Sequence, residues 1–150
     1  MPADFGQEAT ALPMFVWGYG GVPGSAGRLG FEEWYDGSAG KFAWMGQTRP
    51  LVDGEPITPF MRAAMAADAT SALTHWSSEG LNFINTDYTL SLSRLPIGAH
   101  IGLAAVLHTS DGGIGSGVAA LFDELGPIGN AMAVAVAGPA KFQAKIGQIG

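Results

Sequence analysis

The pattern of apolar positions predicts one helix near the middle of the chain. From Phe60 to about Leu73 nearly every side chain is Ala, Met, Phe or Leu. Thr58 is a residue type that caps helices, and Pro59 suits the first helical position. Because the predicted helix is apolar on all sides, we expect it to be buried, and its alanines allow a sheet to pack closely around it.

The chain after this helix predicts a run of antiparallel strands. In the clearest segment, the even-numbered residues 88–92 are apolar and the odd-numbered residues 89–93 carry hydroxyl groups, which is the period of a strand with one buried face. Turn signals separate the segments, the strongest of them at residues 110–113. The predicted strands are Phe83–Ser93, His100–Thr109, Gly115–Asp123 and Ile128–Ala137.

The part before the helix gives weaker signals. Residues 1–27 are punctuated by glycine and proline and predict an irregular arm or linker. Residues 28–35 and 41–49 are rich in aromatic side chains, and a glycine-containing turn signal separates them, which predicts a hairpin.

Strands on both sides of one central helix are an α+β pattern, and an antiparallel sheet wrapped around one helix is the hotdog fold. The expected organisation is an irregular N-terminal arm or linker at 1–27, a hotdog domain at 28–137 and a loose C-terminal tail at 138–150.

Composition narrows the function classes. Only 13% of the 150 residues are charged, the net charge is −6, and there is no cysteine. These values argue against a disordered tail and a nucleic-acid binder, and they exclude disulfides, thiolate metal sites and a cysteine nucleophile. We find no signal peptide and no apolar stretch near the ~18 residues of a membrane helix, so we expect a soluble, cytoplasmic protein. The low charge also favours an oligomer.

A glycine-rich motif and three histidines could indicate a cofactor or a metal site, but each has a simpler structural explanation. The glycines of residues 113–117 resemble a dinucleotide-binding loop, but the acidic residue expected about 20 positions later is missing, so turn glycines are the preferred interpretation. His75, His100 and His108 are not at metal-ligand spacing and are expected at the ends of helices or strands. We therefore expect neither a cofactor nor a metal.

Two polar features remain as candidate chemistry. Asp68 stands in the most apolar helix, and its helical neighbours three and four positions away offer no countercharge. It must therefore face either solvent or a polar cavity, and these alternatives stay open. The second feature is the Asn85-Thr86-Asp87 cluster, for which a turn at the entry of a strand is the simpler interpretation.

Several ordered segments resemble a known family, the C-terminal half of acyl-CoA thioesterase II-type (TesB-like) proteins, and most closely the thioesterase-like superfamily of actinobacteria. The similarity covers about residues 28–137. Family members are usually double hotdogs, so this chain resembles one half and residues 1–27 resemble the linker. The segments are Thr58–Arg62, Met65–Asp68, Asn85–Gly98, Leu121–Asp123 and Gly126–Gly129.

The resemblance implies a catalytic trio of aspartate, threonine and glutamine that activates water to attack a thioester. The aspartate corresponds to Asp68. The threonine position falls on Asn85, with Thr86 one residue away, and the glutamine position falls near Val134. The implied catalytic residues are therefore Asp68, Asn85 and Thr86, without a cofactor or metal.

Three hypotheses follow. The first is hydrolysis of an acyl-CoA or acyl-carrier thioester. The second is a degenerate hotdog subunit that binds acyl ligands or completes a partner's site, which the valine at position 134 favours. The third and least favoured is a hotdog hydratase or dehydratase, since no histidine precedes His75 on the helix. The expected partners are an acyl-CoA or acyl-carrier substrate and a second hotdog half or copy, with no nucleic acid and no membrane span.

Overall fold

The computed structural model describes residues 17–18, 41–47, 50–77 and 80–139. In chain order the elements are β1 (Trp17–Gly18), β2 (Phe42–Gly46), α1 (Pro59–His75), β3 (Phe83–Leu92), β4 (His100–Asp111), β5 (Ile114–Asp123) and β6 (Gly126–Ala137). The six strands pair antiparallel in one sheet with the order β1-β2-β4-β5-β6-β3. The helix α1 lies across one face of this sheet and contacts β2 through β6. This is the α+β hotdog arrangement, so the predicted fold class is confirmed.

The predicted start of the helix is confirmed. Thr58 is extended, and its hydroxyl accepts a hydrogen bond of 3.2 Å from the Met61 N–H, which satisfies one of the free donors of the first turn. Pro59 occupies the first turn, where it costs no hydrogen bond. The helix continues two residues beyond Leu73 and ends at His75.

The expectation that this helix is buried on all sides is wrong. Its buried positions share the side that faces the sheet, whereas Asp68 is exposed and Met65 is only half-buried. The physical reason is that one sheet covers only one side of a helix. The apolar residues of the other side therefore stay partly in contact with solvent within the single chain.

Small residues bring α1 close to the sheet. The core combines alanines of α1, β5 and β6 with a few large side chains such as Ile101 and Leu121. A Cβ on Gly117 would lie 2.0 Å from Thr74 Oγ1, and one on Gly115 would lie 2.7 Å from His75 Cδ2. These two glycines therefore seat the C-terminal half of α1 on β5.

This packing also explains the glycine motif. Gly112 and Gly113 form the β4–β5 turn with φ angles of 55° and 81°, which only glycine adopts readily. The prediction of a turn is confirmed there. Gly115 and Gly117, however, belong to a strand that pairs antiparallel on both sides, and their role is close packing. The arrangement is incompatible with a dinucleotide-binding loop.

An ion pair between the partly exposed Arg94 and the buried Asp123 holds one end of the sheet together. Arg94 donates two hydrogen bonds to Asp123, at 2.6 and 2.7 Å, and the backbone N–H groups of Ile97 and Leu125 donate to the same carboxylate at 2.9 Å. Asp123 is 3% exposed. The Arg94 hydrogen bonds hold the pKa of Asp123 well below its usual range. The pair ties the β3–β4 loop to the β5–β6 turn.

The N-terminal prediction needs one correction. Residues 1–27 were expected to be irregular, but Trp17–Gly18 form a strand against β2. A two-residue strand carries no periodicity in the sequence, and its pairing comes from backbone groups at the edge of β2. Residues 28–35 of the predicted hairpin and residues 140–150 of the predicted tail lie outside the described residues.

Candidate active site

The candidate site lies where α1 meets the edge strand β3. On β3 the register with β6 shifts at one place: Asn85 lies opposite Ala135, and Asp87 lies opposite Val134. Thr86 is therefore the extra residue of a β-bulge. Its hydroxyl donates a 2.9 Å hydrogen bond to the Val134 carbonyl of the neighbouring strand.

The bulge decides which face of the sheet each β3 side chain occupies. Tyr88 lies opposite Ala133, which is fully buried under the helix, so the even-numbered residues after the bulge face α1. Leu90 packs against the core, which confirms the predicted alternation. Asn85 lies opposite the buried Ala135 and faces α1 as well, although it is odd-numbered.

This orientation brings two of the sequence-predicted residues together. Asn85 Nδ2 donates a hydrogen bond of 3.3 Å to Asp68 Oδ1. The interaction orients the Asn85 amide, because the opposite orientation would direct its oxygen at a carboxylate. Asn85 Oδ1 is buried and has no hydrogen-bond partner within the described residues.

The structure places the other two residues differently. The Thr86 hydroxyl donates its hydrogen bond to the Val134 carbonyl of β6 rather than to Asp68. Val134 stands between Ala133 and Ala135, both fully buried under the helix, so its side chain belongs to the opposite face of the sheet. Near this position β6 presents only alanine to α1, so within the described strand β6 no amide stands where the family resemblance implies a glutamine.

Asp68 is exposed in the single chain. The sequence left two alternatives for this carboxylate, solvent or a polar cavity. In the single chain it faces solvent, and a cavity around Asp68 requires a second surface. β3 forms one side of such a site. Within the described sheet it pairs only with β6, so its other edge is open to a second surface.

A second polar cluster lies at the other end of the contact between α1 and β3, which we call the seam. His75 Nδ1 contacts the Ser71 carbonyl at 2.8 Å, and its ring lies edge to face with His108 at a centroid distance of 5.0 Å. Burial lowers the pKa of His75, an effect that the Ser71 hydrogen bond opposes and that nearby His108 and Lys41 reinforce. The lowered pKa disfavours the protonated form of His75, which stands seven residues, about 10 Å along the axis, from Asp68.

Metal and membrane features were also sought in the described ranges. No group of three histidine, aspartate or glutamate side chains there has the geometry to hold a metal ion. Nor does any helical segment of those ranges have the length and hydropathy of a membrane span.

The family follows from comparison with known sequences. Residues 16–136, well over half of the chain, match the acyl-CoA thioesterase C-terminal domain. The chain belongs to this family. The matched range extends beyond the predicted domain start at residue 28 and includes β1, which the structure places in the sheet.

The fold has a solved counterpart. A crystal structure of a candidate thioesterase from Syntrophus aciditrophicus superposes with a TM-score of 0.50 at 8% sequence identity, covering 65% of this chain and 76% of that one. At this identity the likeness supports the fold alone. None of the curated proteins matches the sequence. The chain is thus a thioesterase-family hotdog domain whose polar seam contains Asp68 and Asn85.

Proposed function

We propose that this domain hydrolyses acyl thioesters of coenzyme A or of an acyl-carrier protein, with Asp68 and Asn85 positioning the attacking water. The observation that carries the proposal is the 3.3 Å hydrogen bond from Asn85 Nδ2 to Asp68 Oδ1. Membership of the acyl-CoA thioesterase family supports the substrate class.

The proposed chemistry needs one water molecule and one base. The water oxygen attacks the thioester carbonyl carbon while Asp68 accepts a proton from the water. The C–S bond then breaks, the acyl group leaves as a carboxylic acid, and the thiol leaves with the proton returned from Asp68. Asn85 fixes the Asp68 carboxylate through its Nδ2, so that the second oxygen, Oδ2, can face the water.

The alanines of β6 predict a slow enzyme. Removing one group that stabilises the transition state costs about 10²–10³ in rate, so the lack of a glutamine near Val134 lowers turnover without abolishing it. The remaining carboxylate and amide still supply the base and its orientation.

We propose that a second hotdog half completes the site, either another copy of this chain or a separate chain. Asp68 is exposed, and a catalytic carboxylate works best where water is largely excluded. β3 has a free edge within the described sheet, and an unpaired strand edge is a surface for pairing with another strand. We expect a cytoplasmic location, with a role in lipid metabolism and no nucleic-acid partner.

The alternative is a degenerate subunit that binds acyl ligands or completes a partner's site without hydrolysing them. The observation that favours it is the alanine lining of β6 beside the site, at Ala133 and Ala135. A hydratase or dehydratase is less favoured, because His75 contacts Ser71 and His108 at the far end of the seam.

An assay of thiol release separates these functions. Because the chain has no cysteine, a thiol reagent added to protein and acyl-CoA reports only the coenzyme A that is released. Turnover across a series of acyl lengths supports the hydrolase. Absence of turnover with a higher Tm in the presence of acyl-CoA supports the binding subunit. Neither turnover nor a change in Tm contradicts both.

A further inference from the structure

We infer that Thr86 is a positioning residue, whose hydroxyl fixes the β3 bulge in the register that turns Asn85 towards Asp68. The role of this device in hydrolysis rests on the proposed function. The positioning itself rests on the hydrogen bonds that Thr86 and Asn85 make.

The first step is that Asn85 and the part of β3 that follows the bulge have different registers with β6. Side chains alternate between the two faces of a strand, so an odd-numbered residue and an even-numbered one face the same side only if an extra residue stands between them. Asn85 and Tyr88 both face α1. The bulge at Thr86 is that extra residue.

The second step is that the bulge has to be held at Thr86. If pairing continued regularly from Asn85, Asp87 would lie opposite Ala133, and its carboxylate would face the buried side of the sheet. If instead the regular register of Tyr88 continued back along the strand, Asn85 would face away from α1. Only a bulge between Asn85 and Asp87 lets Asn85 face α1 while Asp87 faces the opposite side of the sheet.

The third step is that the Thr86 side chain makes a hydrogen bond to the neighbouring strand, whereas the extra residue of a bulge lacks the regular backbone pairing. The extra residue of a bulge is left out of the regular backbone ladder. The 2.9 Å hydrogen bond from Thr86 Oγ1 to the Val134 carbonyl joins this residue to β6. Because Thr86 is exposed, core packing does not fix its place, and the hydroxyl is the specific contact that does.

The test uses the Asn85 side-chain amide as a spectroscopic signature. The sequence contains three asparagines, Asn82, Asn85 and Asn130, so protein labelled with ¹⁵N-asparagine gives three side-chain amide pairs in a heteronuclear spectrum. Loss of one pair in Asn85→Ala assigns it, and its displacement in Asp68→Ala shows that it reports the contact with the carboxylate.

We expect Thr86→Val, which keeps the branched shape without the hydroxyl, to displace the Asn85 pair in the same direction as Asp68→Ala. Thr86→Ser should restore the wild-type position. Thr89→Val is the matched control, because Thr89 is an exposed threonine of the same strand on the opposite face, and it should leave the pair unchanged. Thr86→Ala repeats the test if the valine variant does not fold.

An Asn85 pair that stays at its wild-type position in the folded Thr86→Val or Thr86→Ala protein, while Asp68→Ala moves it, overturns the inference. Kinetics give a second readout: Thr86→Val should lower kcat for acyl-CoA roughly 10- to 100-fold with a smaller change in KM, as expected when a reacting group is displaced. If the wild-type chain does not hydrolyse acyl-CoA, the proposed function fails, but the amide signature still decides the positioning role.

Discussion

Asn85 Nδ2 lies 3.3 Å from Oδ1 of Asp68, and this hydrogen bond joins the edge strand to the central helix. The two residues come from segments that pack together only when β3 closes the sheet beside α1. The contact gives the carboxylate of a mostly apolar helix an oriented polar neighbour.

Hydrolysis should tolerate a small hydrogen-bonding side chain at position 85 better than an apolar one. The family resemblance implies threonine there, and a threonine hydroxyl can also donate to a carboxylate. We expect Asn85→Thr to keep acyl-CoA hydrolysis within about tenfold of the wild type, and Asn85→Leu to lower kcat by about 10²-fold or more. Equal kcat values for the threonine and leucine variants, measured by thiol release, would contradict a polar role for this position.

Gly117 should tolerate no side chain. A Cβ there would lie 2.0 Å from Thr74 Oγ1 and 2.5 Å from Thr74 Cβ, so α1 would have to move away from β5. We expect Gly117→Ala to lower the free energy of unfolding by roughly 1–3 kcal/mol, the usual cost of overpacking a core. Urea denaturation measures this change. Ser116→Ala, on the same strand with its side chain on the other face, is the matched control and should change stability little.

The Arg94–Asp123 pair should make the fold sensitive to acid. Since the Arg94 hydrogen bonds lower the pKa of Asp123 in the folded state, the pair stabilises the protein above the unfolded pKa of about 4, and the stabilisation is lost as pH falls towards the folded pKa. We expect Asp123→Asn to lower Tm by roughly 5–10 °C at pH 7 and to flatten the loss of stability between pH 5 and pH 2.

Asp111→Asn is the control for this pH experiment, because Asp111 is an exposed carboxylate at the end of β4. Its Tm should follow that of the wild type across the same pH range. An Asp123→Asn protein whose Tm falls with acid as steeply as the wild type would show that the ion pair does not carry the acid sensitivity.

The sequence predicted the fold from local signals that the structure retains. Thr58 and Pro59 mark the helix start, and the alternation from Tyr88 to Leu92 gives the correct inward face of β3. The same alternation would place Asn85 on the outer face, and nothing in the sequence shows that Thr86 is an extra residue. A bulge is set by pairing with β6, so the local pattern could not reveal it.

The candidate site could be predicted in part. Asp68 was recognisable as a carboxylate without a countercharge on its own helix, but its exposure depends on what covers the outer side of α1, which sequence periodicity does not show. The assignment near Val134 concerned a side chain that faces away from the helix. The packing role of Gly115 and Gly117 was also hidden, because it arises from the approach of Thr74 and His75.

The most direct test of the account is the rate of thiol release from acyl-CoA by wild type, Asp68→Asn and Asp87→Asn. Asp87 is the matched control, since it is an exposed carboxylate nineteen residues later that the bulge turns to the opposite face of the sheet. The account predicts that Asp68→Asn lowers kcat about 10²- to 10⁴-fold, the usual contribution of a general base, while Asp87→Asn retains the wild-type rate. A folded Asp68→Asn protein with wild-type kcat would contradict it.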